Sequence, residues 1–372
     1  MTTEVRGRLV LGDAVVPGIV TIGDGVIAAV ERDRSAEAGP LIAPGFIDVH
    51  VHGWGGHSAM GGRAALDGMA QALLRRGVTS FLPTAATATL ATLAAFADDV
   101  RAMCRSPIGD GSAPLGFNLE GPFLAEARKG AHDPAHLRAP ADVGADEVDQ
   151  LLEGLRLITI APELPGALEL IQRLETTGTR ISLGHSAATL AQAQAGYAAG
   201  ATSTTHLFNA MSGVHHRHPG LAVAALTDDA VWVELIADGH HVDPALLPII
   251  TRTKPVDRLL LVSDAVSAAG TDARRAKIGG LDCDIDGNRV TLAGTTTLAG
   301  SVIALDDAVR HLAGAGSSLP SAVAAASTNP AAMLGLEDRG RISTGLRADL
   351  VELDDGLRVR RIMRSGEWFE AT

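Results

Sequence analysis

Short alternating apolar and polar positions mark the first forty residues, and from Pro44 onward short apolar runs alternate with longer amphipathic ones. Residues 7–11, 18–22 and 26–31 read as short β segments, with Gly23-Asp24-Gly25 as a tight turn. Beyond Pro44 the pattern predicts strands at 46–52, 79–84, 115–123, 157–163, 180–186, 203–209, 231–238 and 259–264. Helical patterns near 64–76, 90–104, 146–155, 167–176, 188–199, 221–226 and 244–253 fill the gaps, with a Gly-, Pro- and His-rich insertion after the third strand. Apolar strands such as Leu259-Leu260-Leu261-Val262 suit a parallel sheet covered on both faces. Strands and helices alternating eight times predict an α/β fold, a (β/α)8 TIM barrel. A doubly wound open sheet also alternates, but no GxGxxG follows the first strand.

The eighth strand is followed by a β-rich excursion over 277–298, turning at Asp286-Gly287-Asn288, and by helices near 302–313 and 321–326. The tail returns to β at 340–345, 348–353 and 359–363. We therefore expect a small β-sandwich domain from residues 1–43 plus 338–372, and a barrel domain over 44–337. A chain of 372 residues is long enough for both.

A net charge of −12 and a pI near 5.5 argue against a general nucleic-acid or anionic-membrane surface. A phosphorylated small molecule stays open, because one or two local cations suffice for a phosphate. Cys104 and Cys283 stand far apart in no CxxC spacing, which excludes a disulfide framework or thiolate zinc site and fits a reducing compartment. The N-terminus lacks the apolar core of a signal peptide, and no run of about 18 uncharged apolar residues suggests a membrane span. Cytoplasmic localisation is the expectation.

The chemistry begins at residues 44–53, Pro-Gly-Phe-Ile-Asp-Val-His-Val-His-Gly. Strand periodicity puts His50 and His52 on one face, where two imidazoles can share a metal ion. Catalytic residues of a TIM barrel gather at the C-terminal strand ends. Metal-type residues recur there: His50 and His52 on the first predicted strand, Glu120 on the third, His185 on the fifth and His206 on the sixth. His241 follows the seventh, and Asp264 ends the eighth. A lone histidine is more often a satisfied polar side chain, but so many on one rim point to a metal site. Nitrogen and carboxylate donors without thiolates suit zinc, or iron or another divalent ion. An ion held by Glu120, His185 and His206 leaves a position for water and lowers its pKa toward about 7. Asp264 is the candidate to take the proton and return it to a leaving amine.

An HxH on strand 1, histidines on strands 5 and 6 and a lone Asp on strand 8 resemble the amidohydrolase superfamily. More narrowly the chain resembles its family of N-acetylglucosamine-6-phosphate deacetylases, on residues 44–53, 118–123 (Asn-Leu-Glu-Gly-Pro-Phe) and 129–134 (Lys-Gly-Ala-His-Asp-Pro). Residues 183–186 (Leu-Gly-His-Ser), 205–211 (Thr-His-Leu-Phe-Asn-Ala-Met), 236–242 (Ile-Ala-Asp-Gly-His-His-Val) and 261–265 (Leu-Val-Ser-Asp-Ala) extend the resemblance over nearly the whole chain. The resemblance implies that Glu120, His185 and His206 hold the principal metal and that Asp264 is general base and then general acid. It implies that His132 contacts the substrate near the acetamide or sugar hydroxyls. It further implies that Asn209, the Ala210 backbone, Arg217 and His241 hold the phosphate of a phosphorylated N-acetyl amino sugar. In some family members that arginine comes from a neighbouring subunit, implying a homodimer.

Family members with the HxH pair can hold two metals, so His50 and His52 permit a second ion bridged by Glu120. The superfamily's carboxylated lysine has no counterpart, because residues 157–163 contain no lysine. His57, His215, His216 and His218 have no assigned role. An N-acetylgalactosamine-6-phosphate deacetylase or an N-acyl amino acid hydrolase is the enzymatic alternative. A non-catalytic barrel scaffold is the alternative of a different class.

Overall fold

The computed structural model describes residues 2–371. Eight parallel strands follow one another in chain order: Phe46–Val51, Val78–Ala86, Phe117–Glu120, Leu155–Ile160, Arg180–Leu183, Ser203–Thr204, Trp232–Leu235 and Leu259–Leu261. We call them barrel strands 1 to 8. Strands 1 and 8 meet where the Asp264 N–H donates to His50 O and the His52 N–H to Ala265 O, both at 2.9 Å. This (β/α)8 barrel is the predicted TIM fold.

The strands are buried on both faces, every residue of strand 1 included, as the unbroken apolar runs require. The helices between them bury one stripe each. Ala167–Glu175 buries Leu170, Ile171 and Leu174, one apolar face of a 3.6-residue period. Thr89 caps Leu90–Arg105 by accepting from the Thr92 N–H, and Thr189 with Gln192 forms a capping box at Leu190–Ala198.

The chain ends come together in a seven-stranded sheet, ordered Glu367–Glu370, Val359–Arg364, Leu350–Leu353, Leu41–Pro44, Thr2–Leu11, Ala14–Gly23, Val26–Arg32. It carries the small β-sandwich and has its own core, including Val5, Leu9, Val20, Ile27, Ile42 and Leu350. Leu41–Pro44, to which pattern reading assigned no strand, is the join between the two ends. The predicted segment 340–345 forms no strand, and Thr328–Met333 is an additional helix.

The excursion after strand 8 is a three-stranded antiparallel sheet of Arg275–Ile278, Leu281–Asp286 and Arg289–Leu292. Ile278, Cys283 and Val290 pack with Ala86 and Ala131, so this small sheet sits over the C-terminal rim of the barrel. No helix among the described residues is long and apolar enough to cross a membrane.

Candidate metal centre and active site

Alternation along strand 1 turns Asp48, His50 and His52 to one face, and all three side chains are buried. Glu120 is the last residue of strand 3. His185, His206 and Asp264 come just after strands 5, 6 and 8, each with a left-handed backbone at φ 45°, 29° and 48°. Residues other than glycine rarely adopt that region, and holding one there costs about 1–3 kcal/mol. These positive φ values also explain why the strands stop earlier than the apolar pattern predicts, since a left-handed residue leaves the ladder.

Glu120 lies at the centre. Its Oε1 is 3.0 Å from both His185 Nε2 and His206 Nε2. Its Oε2 is 3.1 Å from His52 Nε2 and 3.2 Å from His132 Nε2. Asp264 Oδ1 lies 3.2 Å from His52 Nε2, and the two Nε2 atoms of His50 and His52 are 3.3 Å apart. Two donor sets result, Glu120 with His185 and His206, and Glu120 with His50, His52 and Asp264.

The outer nitrogens settle which atoms face inward. His185 Nδ1 donates to Arg128 O at 2.8 Å, His52 Nδ1 to Thr84 O at 3.2 Å, and His50 Nδ1 to Glu234 Oε2 at 3.0 Å. Their Nε2 lone pairs therefore point at one another and at carboxylate oxygens. His185 Nε2 stands 3.0 Å from His206 Nε2, and the buried Asp264 Oδ1 has no aligned hydrogen-bond donor. Acceptors converging on acceptors repel unless a proton or cation lies among them. The donor set fits a divalent metal with nitrogen and oxygen ligands.

Electrostatics follow from the same crowding. Burial opposes charge on Glu120, but His50, His132 and His185 overcome it and hold the carboxyl well below its usual range. Burial likewise opposes charge on His52, yet Asp264 and Glu120 hold its pKa up at about 9 without a metal. His52 and His50 keep the Asp264 carboxyl low against its burial.

The sequence profile of the amidohydrolase family matches residues 41–369. The chain belongs to the amidohydrolase family. Among its amidohydrolase relatives, an Escherichia coli O157:H7 N-acetylgalactosamine-6-phosphate deacetylase is 40% identical, each chain covered over 93%. A Bos taurus N-acetylglucosamine-6-phosphate deacetylase is 42% identical over 92% of this chain and 85% of that one. The solved structure of a Mycobacterium smegmatis N-acetyl-D-glucosamine-6-phosphate deacetylase mutant, in complex with N-acetyl-D-glucosamine-6-phosphate, has a TM-score of 0.91 and 35% identity, covering 99% of both chains.

Several residues of this amidohydrolase site escaped pattern reading. Glu234, on strand 7, is fully buried and also lies 3.4 Å from the His206 N–H, so one carboxylate touches a residue of each donor set. A charged residue inside the apolar run Trp232–Leu235 was the available signal. Asp48 accepts from the Ser263 hydroxyl at 2.6 Å, tying strand 1 to strand 8 beneath the site, and burial raises its pKa to about 6. Strand 4, Leu155–Ile160, carries no lysine.

Above the donor sets opens a cavity of about 310 Å³ lined by Glu120, His132, His185, His206, Asn209, Ala210, His241 and Asp264, with Arg128 and Ile278 among others. His132 is buried, and its Nδ1 accepts the Thr87 N–H at 3.2 Å, so Nε2 carries the proton. His241 is held by Asp238 at 2.7 Å, and Asn209 Nδ2 donates to Leu207 O at 3.1 Å. Arg217 does not line its own chain's cavity. It lies on the exposed stretch 213–218 beside His215, His216 and His218, where the His215 ring stacks on His218. His57 is partly buried against Gly68, away from the site.

Proposed function

We propose that this chain hydrolyses the acetamide of N-acetylglucosamine 6-phosphate to glucosamine 6-phosphate and acetate, in amino-sugar catabolism and cell-wall recycling. The observation that carries the reading is the buried Asp264 carboxylate, its Oδ1 without an aligned hydrogen-bond donor, on the wall of a cavity lined by Glu120, His185 and His206. A relative and a solved structure named for this deacetylase match most of the chain, over 92% and 99% of its length.

A divalent ion at Glu120, His185 and His206, zinc in our reading, supplies Lewis-acid polarisation of the carbonyl and a more acidic water. The chain's own groups do the rest. Asp264 accepts the proton of the attacking water and delivers it to the departing amine. The His132 Nε2–H orients the acetamide oxygen or a neighbouring hydroxyl. Asn209, the Ala210 backbone and His241 receive the phosphate end. Glu120, His50 and His52 hold a second ion when one binds. Arg217 completes the phosphate site of a neighbouring subunit in a homodimer, a role supported by its exposure and distance from its own cavity. Unpaired Cys104 and Cys283 support a cytoplasmic setting.

The Escherichia coli relative favours a second reading, in which the 4-epimer, N-acetylgalactosamine 6-phosphate, is the preferred substrate. Acetate release from both 6-phosphates and both free N-acetyl sugars decides between them. We expect N-acetylglucosamine 6-phosphate to have the highest kcat/KM. Equal rates with and without phosphate would defeat the proposal, and a higher kcat/KM for N-acetylgalactosamine 6-phosphate would install the second reading.

A further inference from the structure

We infer that Arg128 is the cation within each chain that receives the substrate's phosphate, an assignment that rests on the sugar-phosphate reading above. The cavity contains two carboxylates and four imidazoles, and Arg128 is its only lining lysine or arginine among the described residues. A dianionic group entering a cavity floored by Glu120 and Asp264, on a chain of net charge −12, needs a fixed positive charge near its tail.

The Arg128 backbone is fixed against the site, and the residue is exposed. It ends the short turn Glu126–Arg128, with its N–H bonded to Ala125 O at 2.9 Å and its carbonyl accepting from His185 Nδ1 at 2.8 Å. Ala125 N–H in turn donates to His185 O at 2.9 Å. A Cβ added to the nearby Gly130 would lie 3.1 Å from the His185 ring and 3.8 Å from the Ala210 Cβ. The turn is therefore clamped onto the wall that bears Asn209 and Ala210, the end to which the phosphate is assigned. Unlike the arginines that pair with acids elsewhere, such as Arg63 with Asp67 and Arg347 with Asp349, the Arg128 guanidinium has no carboxylate partner among the described residues. A guanidinium offers a planar fork to phosphate oxygens, and one without a competing carboxylate has its donors available. One residue thus joins two tasks, since its carbonyl orients a metal ligand while its side chain reads the substrate's charge.

The test uses the metal-loaded enzyme with Arg128→Ala and Arg128→Lys, and Lys129→Ala as the neighbouring control. N-acetylglucosamine 6-phosphate and N-acetylglucosamine are the substrates, and inorganic phosphate is the competitor. We expect Arg128→Ala to raise KM for the phosphorylated sugar at least tenfold while kcat changes less than threefold. Turnover of the free sugar and metal per chain stay as in the wild type, and the phosphate inhibition constant weakens at least fivefold. Arg128→Lys recovers part of this loss, and Lys129→Ala shows none of it. An unchanged KM and phosphate inhibition constant in Arg128→Ala would overturn the assignment, as would loss of metal, which would make the residue a support for His185. A wild-type enzyme indifferent to the substrate's phosphate would instead refute the functional reading, while phosphate inhibition still reports on Arg128 separately.

Discussion

Burial opposes the charge on the Asp264 carboxylate, and the facing His52 and His50 hold its pKa below the usual value. Its proposed work is proton transfer, so Asp264→Asn should reduce kcat by about 10²–10⁴-fold. Metal content should stay near normal, because Glu120, His185 and His206 form a donor set without it. Elemental analysis beside steady-state kinetics checks both, and substantial turnover in the variant would remove the proton shuttle. The His52 ring gives a pH prediction whose sign is fixed. Its pKa in the metal-free protein is raised from 6.5 to about 9, so at neutral pH it holds a proton that metal binding at this ring must expel. Calorimetry in two buffers of different ionisation enthalpy should find proton release on loading the His50–His52 set between pH 7 and 8. Affinity at that set should strengthen as pH rises toward 9. The same shift stabilises the metal-free fold fully below about pH 6.5, and that contribution is lost as pH rises through about 9.

At the scale of elements, strand 1 and its end present two candidate ligands on one face, while the ends of strands 3, 5 and 6 present one each. Replacing both His50 and His52 by alanine should therefore remove one ion per chain and leave partial activity. Loss of all metal would make the pair indispensable. Much of this arrangement was legible beforehand. Period-2 alternation located His50 and His52, and the eightfold strand–helix alternation placed Glu120, His185, His206 and Asp264 on one rim. The strand ends were not legible, because hydropathy does not report the left-handed turn at His185, His206 or Asp264. Leu41–Pro44 was hidden because the three-residue apolar run Leu41-Ile42-Ala43 before Pro44-Gly45 looks like the approach to the barrel. The helix Thr328–Met333 was hidden by Asn329-Pro330, residue types that pattern reading assigns to turns. The tie from Glu234 to His50 spans 184 residues, beyond any local pattern. Arg217 shows the opposite limit, since the motif names it while the chain's own cavity does not include it.

For the whole molecule, the terminal sheet and the barrel share apolar packing. Leu350–Leu353 pairs antiparallel with Leu41–Pro44, and Val351, Leu353 and Ile362 pack into the same core as the barrel. Arg364 also donates to the carbonyls of Ile108 and Gly109. Deleting residues 338–372 should therefore yield mostly insoluble chain without a cooperative melt, as read by soluble fraction and calorimetry. A soluble, active truncation would show that the barrel stands alone. The sheet's order also has a consequence for synthesis in the cell. Leu41–Pro44 leaves the ribosome roughly 300 residues before its second neighbour, Leu350–Leu353, which at about 5–20 residues per second is roughly 15–60 s. Through that interval the nascent chain carries an apolar edge with no partner of its own, open to another nascent chain on the same message. Slow translation should lengthen the exposure, and chaperones that shield nascent strands should raise the yield of this protein.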